Sequence, residues 1–526
     1  MYVVEERARG GAGSRITVAA PNADAARAGA RVEVVVEEAG PTERHPAGEV
    51  AFKSENGLPG MDAAFLEMLR RVAAVTGDEA GGKPAKKGSR PAPPAPSSSS
   101  TAPPALTRAT LAEEDVTKVT REGVVHLAFH PTAMREGGTG GAGVGGAGPP
   151  THRLLLAAGA KSGRVSLWDV DWSPPPPAAD GAGEGEGVGD DDGDAPSADD
   201  AGAAAGVLEF APHHSYISGL AWAPRGGPPS TLFTASYDGS VRALDVSRGG
   251  AGCFAPALLH ADAEFSAFDV APDAAFGVVA DKDGTCLLFD PRAGGVAAGE
   301  GDAPTAGSRG AVVAEHALAD RKVNCLSVEP GAATSVAASF SDGAVRVYDL
   351  RALGSSGPAT STKKGGGPPL ARPVAEAAHS NTVQGCYFAP DGSGRLLTTS
   401  RDDTLGVWGG VAQACEGGGG SGKKAAPAAP LTRLATCKHN NNTGRWVIPF
   451  RAIWAPPAWA PDTVLVGGMA RTIDVFSAAT GAALASLRSP DFMTAIPSRV
   501  AAHPALPVVA GATASGRVNV FRGPGP

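Results

Sequence analysis

The stretch VNCLSVEPGAATSVAASFSDGAVRVYDLR, residues 323–351, decides the fold. It opens on an apolar run, turns at Pro330-Gly331, resumes as a second apolar run and turns again at Asp342-Gly343. It leaves on an alternating strand that ends in Tyr348-Asp349. Short β-branched and aromatic runs bounded by Pro, Gly and Asp read as strands joined by tight turns.

The same order of pieces recurs along the chain. Upstream lie VVHLAFHP with LLLAAGAKSGRVSLWDVD (124–171), ISGLAWAP with LFTASYDGSVRALDV (217–246), and FSAFDVAPDAAFGVVADKDGTCLLFDPR (265–292). Downstream lie VQGCYFAPDGSGRLLTTSRDDTLGVW (383–408), FRAIWAPPAWAPDTVLVGGMARTIDVF (450–476) and SRVAAHPALPVVAGATASGRVNVF (498–521). A unit repeated seven times cannot bury its faces alone, so the units must stack against one another. The last copy runs out of chain after its third strand, and a strand-like Val116 to Thr120 precedes the first. Closure of a ring then predicts that this early strand completes the last sheet and hides its edge.

His213, His260, His316, His379 and His439 each sit upstream of a copy, and Asp238, Asp342 and Asp402 fall in the second turn. The expected role is a hydrogen-bond network inside each sheet, because buried polar groups need partners. These features together resemble the WD-repeat β-propeller. The expected fold is therefore all-β, a seven-bladed WD40 β-propeller over 106–526, with a short N-terminal helix and disordered Gly/Pro/Ala-rich inserts.

Composition agrees with long connections. The 526 residues include 72 Gly and 45 Pro, and only 19% are charged. Inserts are expected near 136–150, 173–206, 293–312, 353–370 and 410–430. The 173–206 insert carries nine Asp and Glu and no Lys or Arg, which outweighs the whole net charge of −8. The folded remainder is close to neutral, so local patches decide the partners. Before the repeats, 1–60 reads as an extension of uncertain role and 61–76 as an amphipathic helix. That helix is capped by Asp62 and carries Phe65, Leu66, Leu69 and Val72. A disordered linker over 77–105 follows. Its Lys83, Lys86, Lys87 and Arg90 form a basic cluster of the nuclear-import type.

Six cysteines are scattered without close pairs, which predicts reduced core residues and no zinc site or disulfide framework. MYVVEERARGG has no apolar signal core and no run is long enough to span a bilayer, so a soluble intracellular protein is expected. No phosphate loop, nucleophile elbow or HExxH helix is present, and neither catalysis nor a cofactor is expected.

The motifs AGAKSGRVSLWDVD, SYDGSVRALDV, GGMARTIDVF and above all HNNNTGRWVIPFRAIW (439–454) resemble the WD repeat-containing protein 76 family. Its fungal members are described as DNA damage-binding proteins. A more distant resemblance is to DNA damage-binding protein 2, the lesion-recognising propeller of a cullin-4 ubiquitin ligase. The resemblance implies binding to duplex DNA, UV-damaged DNA preferred, by a nuclear and monomeric propeller, with chromatin proteins and the ligase adaptor as partners and no membrane.

In that distant relative a hairpin enters the minor groove at the lesion. Alignment on Trp454 places its tip at Gly444, Arg445 and Trp446, with Trp446 as wedge. Asn440, Asn441 and Asn442 are expected to form the protruding loop beside it. Phosphate contacts are expected from Lys161, Arg164, Lys282, Arg401, Lys438, Arg451 and Arg471. VRVYDLR resembles the box by which some propellers dock on the ligase adaptor, which implicates Asp342, Tyr348, Asp349 and Arg351. FDPR, with Asp290 and Arg292, is a partial second match. Two competing expectations stand beside this reading. One is a protein–protein scaffold that reads a histone or other peptide with the same loop. The other packs Trp446 inside its own blade.

Overall fold

The computed structural model describes residues 50–51, 102–131, 134–135, 152–172, 206–223, 231–245, 253–260, 262–292, 312–354, 370–417, 428–444 and 446–524. The chain divides into two units, Met1–His45 and Pro46–Pro526, and the described residues all belong to the second. The helix expected at 61–76, the basic cluster of the linker and the acidic insert through 205 lie outside the described residues.

The stretch that decides the fold forms three antiparallel strands, Val323–Val328, Ser335–Phe340 and Ala344–Asp349, and Ala375–Ala378 adds a fourth. Gly343 makes the second turn possible. Its φ is +89°, and a Cβ there would meet the His379 carbonyl oxygen at 2.5 Å. Only glycine fits such a position without strain. In the next copy Asp403 takes the same turn position at φ 60°. Its carboxylate accepts a 2.8 Å bond from the Asn441 amide, which helps hold it there.

Seven sheets of this kind make up a seven-bladed β-propeller. Their inner strands are Val124–Phe129, Ile217–Trp222, Phe265–Val270, Val323–Val328, Val383–Phe388, Ile453–Trp454 and Pro497–Ala502. The core lies between neighbouring sheets. One cluster joins Val125 and Leu167 of the first blade to Ile217 and Leu232 of the second. Another joins Val124 and Leu156 of the first to Ala510 and Val518 of the seventh. Burying a Val or Leu is worth about 1.5–3 kcal/mol, so the ring is held by its seams.

The ring closes as the sequence requires. Val116–Lys118 pairs antiparallel with Arg517–Arg522, matching Val116 to Asn519. Arg522 fastens this joint through Asp115 at 2.8 Å and Asp171 at 2.7 Å.

Two expectations need correction. The inserts expected at 353–370 and 410–430 are not wholly irregular: Leu350–Gly354 and Val411–Gly417 are helices, and Ala429–Pro430 pairs in parallel with Ala375–Ala378. Leu350, Leu353 and Val411 are buried, and that apolar anchoring was hidden by flanking Gly-rich sequence. Likewise Val50–Ala51, read as part of an unassigned extension, adds a fifth strand to the second blade beside Cys253–Leu259.

Candidate nucleic-acid interface

In each blade the inner strand begins at the end of the ring where the preceding outer strand delivers the chain. The turn between second and third strands lies at that same end, hereafter the mouth face. The turn between third and fourth strands lies at the other. This topology sorts every expected site residue.

Lys161, Lys282 and Arg401 occupy equivalent positions in the mouth-face turns of the first, third and fifth blades, and Arg471 lies in the corresponding turn of the sixth. Lys161, Arg401 and Arg471 are exposed. Lys282 is partly neutralised by Glu264 at 2.5 Å, and Arg164 is paired with Glu209 at 3.2 Å. Lys438 is exposed at the end of the outer strand Thr432–Lys438, which leads into the Asn run. The face is therefore basic in places and mixed overall.

Beneath the turns are the His networks. His213 Nδ1 lies 3.1 Å from Asp238 Oδ2, and its Nε2 lies 2.8 Å from Thr234 Oγ1. His379 Nδ1 lies 2.9 Å from Asp402, and its Nε2 lies 2.8 Å from Thr398 Oγ1. Burial alone would raise the Asp402 carboxyl, but hydrogen bonds from Thr404 and His379 outweigh it and hold it at about 2. These pairs fasten the turn to the sheet. The third expected pair does not form: His316 Nε2 bonds to the Leu353 carbonyl, and Asp342 pairs instead with Arg346 at 3.3 Å.

The loop after Lys438 differs from the expected triple-Asn protrusion. Asn440 and Asn442 are exposed, but Asn441 is only 4% exposed. Asn441 Nδ2 donates to the Ser400 carbonyl at 2.8 Å, and its Oδ1 lies 2.7 Å from His439 Nδ1. Asn441 is thus a clamp at the base of the loop and is withdrawn from the surface set. Period-2 patterning has no way to mark which of three identical residues turns inward.

Beyond the clamp, Gly444 at φ +64° reverses the chain with nothing within 4 Å of its Cβ position. Arg445 lies outside the described residues. Trp446 is 83% exposed, the most exposed large apolar side chain among the described residues. The chain then dives. Ile448 is buried and joins the cluster shared by the first and second blades, beside Gly123 at the start of the first blade's inner strand and Ala514 of the seventh. Ile448 Cδ1 and Lys161 Cε approach the Cβ position of Gly123 to 3.3 and 3.2 Å, which places Lys161 beside this loop. Trp446 therefore stands between two buried residues of its loop, Asn441 and Ile448.

Arg451 is a correction of another kind. Expected as a phosphate contact at the lip, it lies inside the central channel, where Nη2 donates to the Asn324 carbonyl of the fourth blade at 2.7 Å.

The four expected adaptor-docking residues divide between the two ends. Asp349 and Arg351 lie on the opposite face, where Arg351 grips Asp349 through Nε at 3.0 Å and Nη2 at 2.7 Å and remains 66% exposed. Asp290 and Arg292 repeat that geometry in the third blade, at 2.9 and 3.0 Å. Tyr348 is buried, its hydroxyl donating to the Leu318 carbonyl at 3.0 Å. Asp342 is at the mouth face, roughly 20 Å from Asp349 at 3.4 Å per strand residue. Neither joins the exposed pair.

With this geometry in view, the WD domain, G-beta repeat family matches residues 372–409. WD repeat-containing protein 76 from Rhinolophus ferrumequinum is 26% identical over 415 residues, 78% of this chain and 51% of the relative. Its Xenopus laevis counterpart is 28% identical over 416 residues, 78% of this chain and 55% of the relative. DNA damage-binding protein CMR1 from Coccidioides immitis is 26% identical over 417 residues, 78% of this chain and 66% of the relative. The chain spans about half the length of the vertebrate relatives it matches. It is a seven-bladed WD-repeat β-propeller with homologues among the proteins called WD repeat-containing protein 76 and the fungal DNA damage-binding proteins.

Proposed function

We propose that this propeller binds duplex DNA at its mouth face, damaged duplex in preference, as part of a nuclear response to DNA damage. The observation that carries the reading is Trp446, 83% exposed on an anchored loop at the end of the ring that also holds Lys161, Arg401 and Arg471. The names of the fungal relatives supply the substrate class.

In this mechanism Lys161, Arg401, Arg471 and Lys438 contact phosphates and set the salt dependence, without reading sequence. The indole inserts between base steps, and Arg445 beside it engages the groove or backbone. Unstacking costs about a few kcal/mol per step. A lesion that has already weakened stacking lowers that cost, so damage is selected by deformability. Asn440 and Asn442 offer polar contacts at the edge of the loop.

The opposite face carries the second half of the proposal. Arg351 and Arg292, each held by its neighbouring Asp, present guanidinium groups to the adaptor of a cullin-4 ligase. Bound DNA and bound ligase would then occupy different ends of one ring.

The test is a gel shift on UV-irradiated and intact duplex across a salt series, with wild type, Trp446→Ala and Arg445→Ala/Trp446→Ala. Loss confined to damaged duplex supports the wedge. Absence of binding to either duplex at low salt overturns the DNA reading and favours a scaffold that reads a chromatin peptide.

A further inference from the structure

The mouth face surrounds a central cavity of about 370 Å³. It is lined by the second or third residue of successive inner strands, among them His126, Asn324 and Gln384, with Tyr216 and Tyr237 at one side. Three of its lining residues are cations, Lys322, Arg451 and Arg499, and none is a carboxylate.

The two arginines come from neighbouring blades and are built in. Arg499 is buried, and its Nε donates to the Val125 carbonyl at 2.6 Å. Its Nη1 donates to the Ser498 carbonyl at 3.0 Å and to that of Pro449. No acceptor among the described residues takes Arg499 Nη2. Arg451 reaches across to the fourth blade, as described above. Burial and then the charge of Arg451 push the Arg499 guanidinium down to about 10, so both remain cations at neutral pH. Burial, Arg451 and Arg499 together hold the His126 imidazole well below its usual range, so it stays neutral and adds no charge. A protein seldom buries like charges without a compensating partner.

From this arrangement we propose that the channel mouth is a binding site for a phosphomonoester group. A carboxylate would neutralise one of three positive charges, whereas a phosphomonoester dianion neutralises two. Its oxygens can also accept from the N–H groups that the carbonyls leave over, Arg499 Nη2 among them. The cavity is larger than one phosphate, which leaves space along Tyr216 and Tyr237 for the ring-sized body that carries it. Two chemical sources carry this group: a free small phosphate ester, or the 5′-terminal phosphate of a broken DNA strand. The proposal goes beyond duplex binding and does not depend on it, because the cavity lies inside the ring and Trp446 outside.

Calorimetry on the full chain tests it, with inorganic phosphate, adenosine 5′-monophosphate, and a short oligonucleotide with either a 5′-phosphate or a 5′-hydroxyl. Lys322→Ala, at the exposed edge of the cavity, should weaken phosphate-ligand binding about fivefold to tenfold with the fold intact. Arg499→Gln should weaken it at least about tenfold, with unchanged circular dichroism required as a control for folding. Preference for the 5′-phosphorylated strand over the 5′-hydroxyl strand assigns the strand end as source; binding of the mononucleotide alone assigns the small ester. Both outcomes support the site. No binding of any phosphate ligand, or binding unchanged by both substitutions, overturns it. Trp446→Ala is carried in parallel: it should leave binding of inorganic phosphate and of adenosine 5′-monophosphate unchanged while altering the duplex gel shift, so the two readings can fail separately.

Discussion

The two ends of the ring display their exposed side chains in different ways. At the mouth face, Trp446 is offered to solvent by a loop whose two feet are buried apart, Asn441 against the fifth blade and Ile448 in the cluster shared by the first and second. At the opposite face, Arg351 and Arg292 are each gripped by a carboxylate two residues earlier, Arg351 from the short helix Leu350–Gly354. One presentation is coupled to the fold and the other is local. The lesson is that exposure alone says little about cost. A side chain displayed by long-range anchoring can be lost by mutations far from it, while one displayed by a local pair can be removed without disturbing the ring.

The sharpest way to break this contrast is Asn441→Ala. It removes the bonds that Asn441 makes to the Ser400 carbonyl and to His439 Nδ1, which should cost about 2–3 kcal/mol in urea unfolding. It should also abolish selectivity for damaged duplex, although Asn441 touches no solvent. If stability is unchanged, Asn441 does not anchor the loop. Trp446→Ala comes next: stability should stay within about 0.5 kcal/mol, as for other exposed positions. Affinity for damaged duplex should fall about tenfold or more, the equivalent of one lost stacking contact. Arg351→Ala and Arg292→Ala should leave both stability and the gel shift untouched and reduce co-purification of the ligase adaptor. An equal loss of DNA binding in these variants would show that the two ends are not independent.

The smallest effect is on pH. The Asp402 carboxyl is held at about 2 in the folded chain, below the ordinary 3.8. A depressed carboxylate contributes stability that is present above its unfolded value and lost on acidification. The His379 ring, lowered chiefly by burial, disfavours the fold when it is forced to take a proton. Both signs agree, so stability should fall as pH drops, through the histidine range first and then between about 4 and 2. Asp402→Asn should flatten the lower part of that profile in a pH series of thermal melts.

How much was legible in advance differs along the same lines. The ring, its seven copies and its closure by Val116–Lys118 follow from period-2 patterning and turn chemistry, which are local signals repeated many times. The exposed Trp446 is consistent with the loop reading of the Asn run, since Asn and Gly disfavour strands. What could not be read was direction. Nothing in HNNNTGRW marks Asn441 as the residue that turns inward, or Ile448 as belonging to the cluster shared by the first and second blades. Arg451 is expected by residue type at the lip, whereas its place just ahead of the inner strand Ile453–Trp454 puts it in the channel. Arg499, in a strand that otherwise reads as ordinary core, was missed. The signal that finds both is the register of the inner strands taken together, a property of the assembled ring and of no single repeat.

The closing strand carries a further consequence for how the chain is made. Val116–Lys118 is synthesised before any blade, yet its partner Arg517–Arg522 is the last strand of the last one. At ribosomal speeds of about 5–20 residues per second, the clasp waits on the order of 20 to 80 s for its mate. Until Arg522 has emerged the newborn ring has an open seam and an unpaired edge, which another chain could pair with.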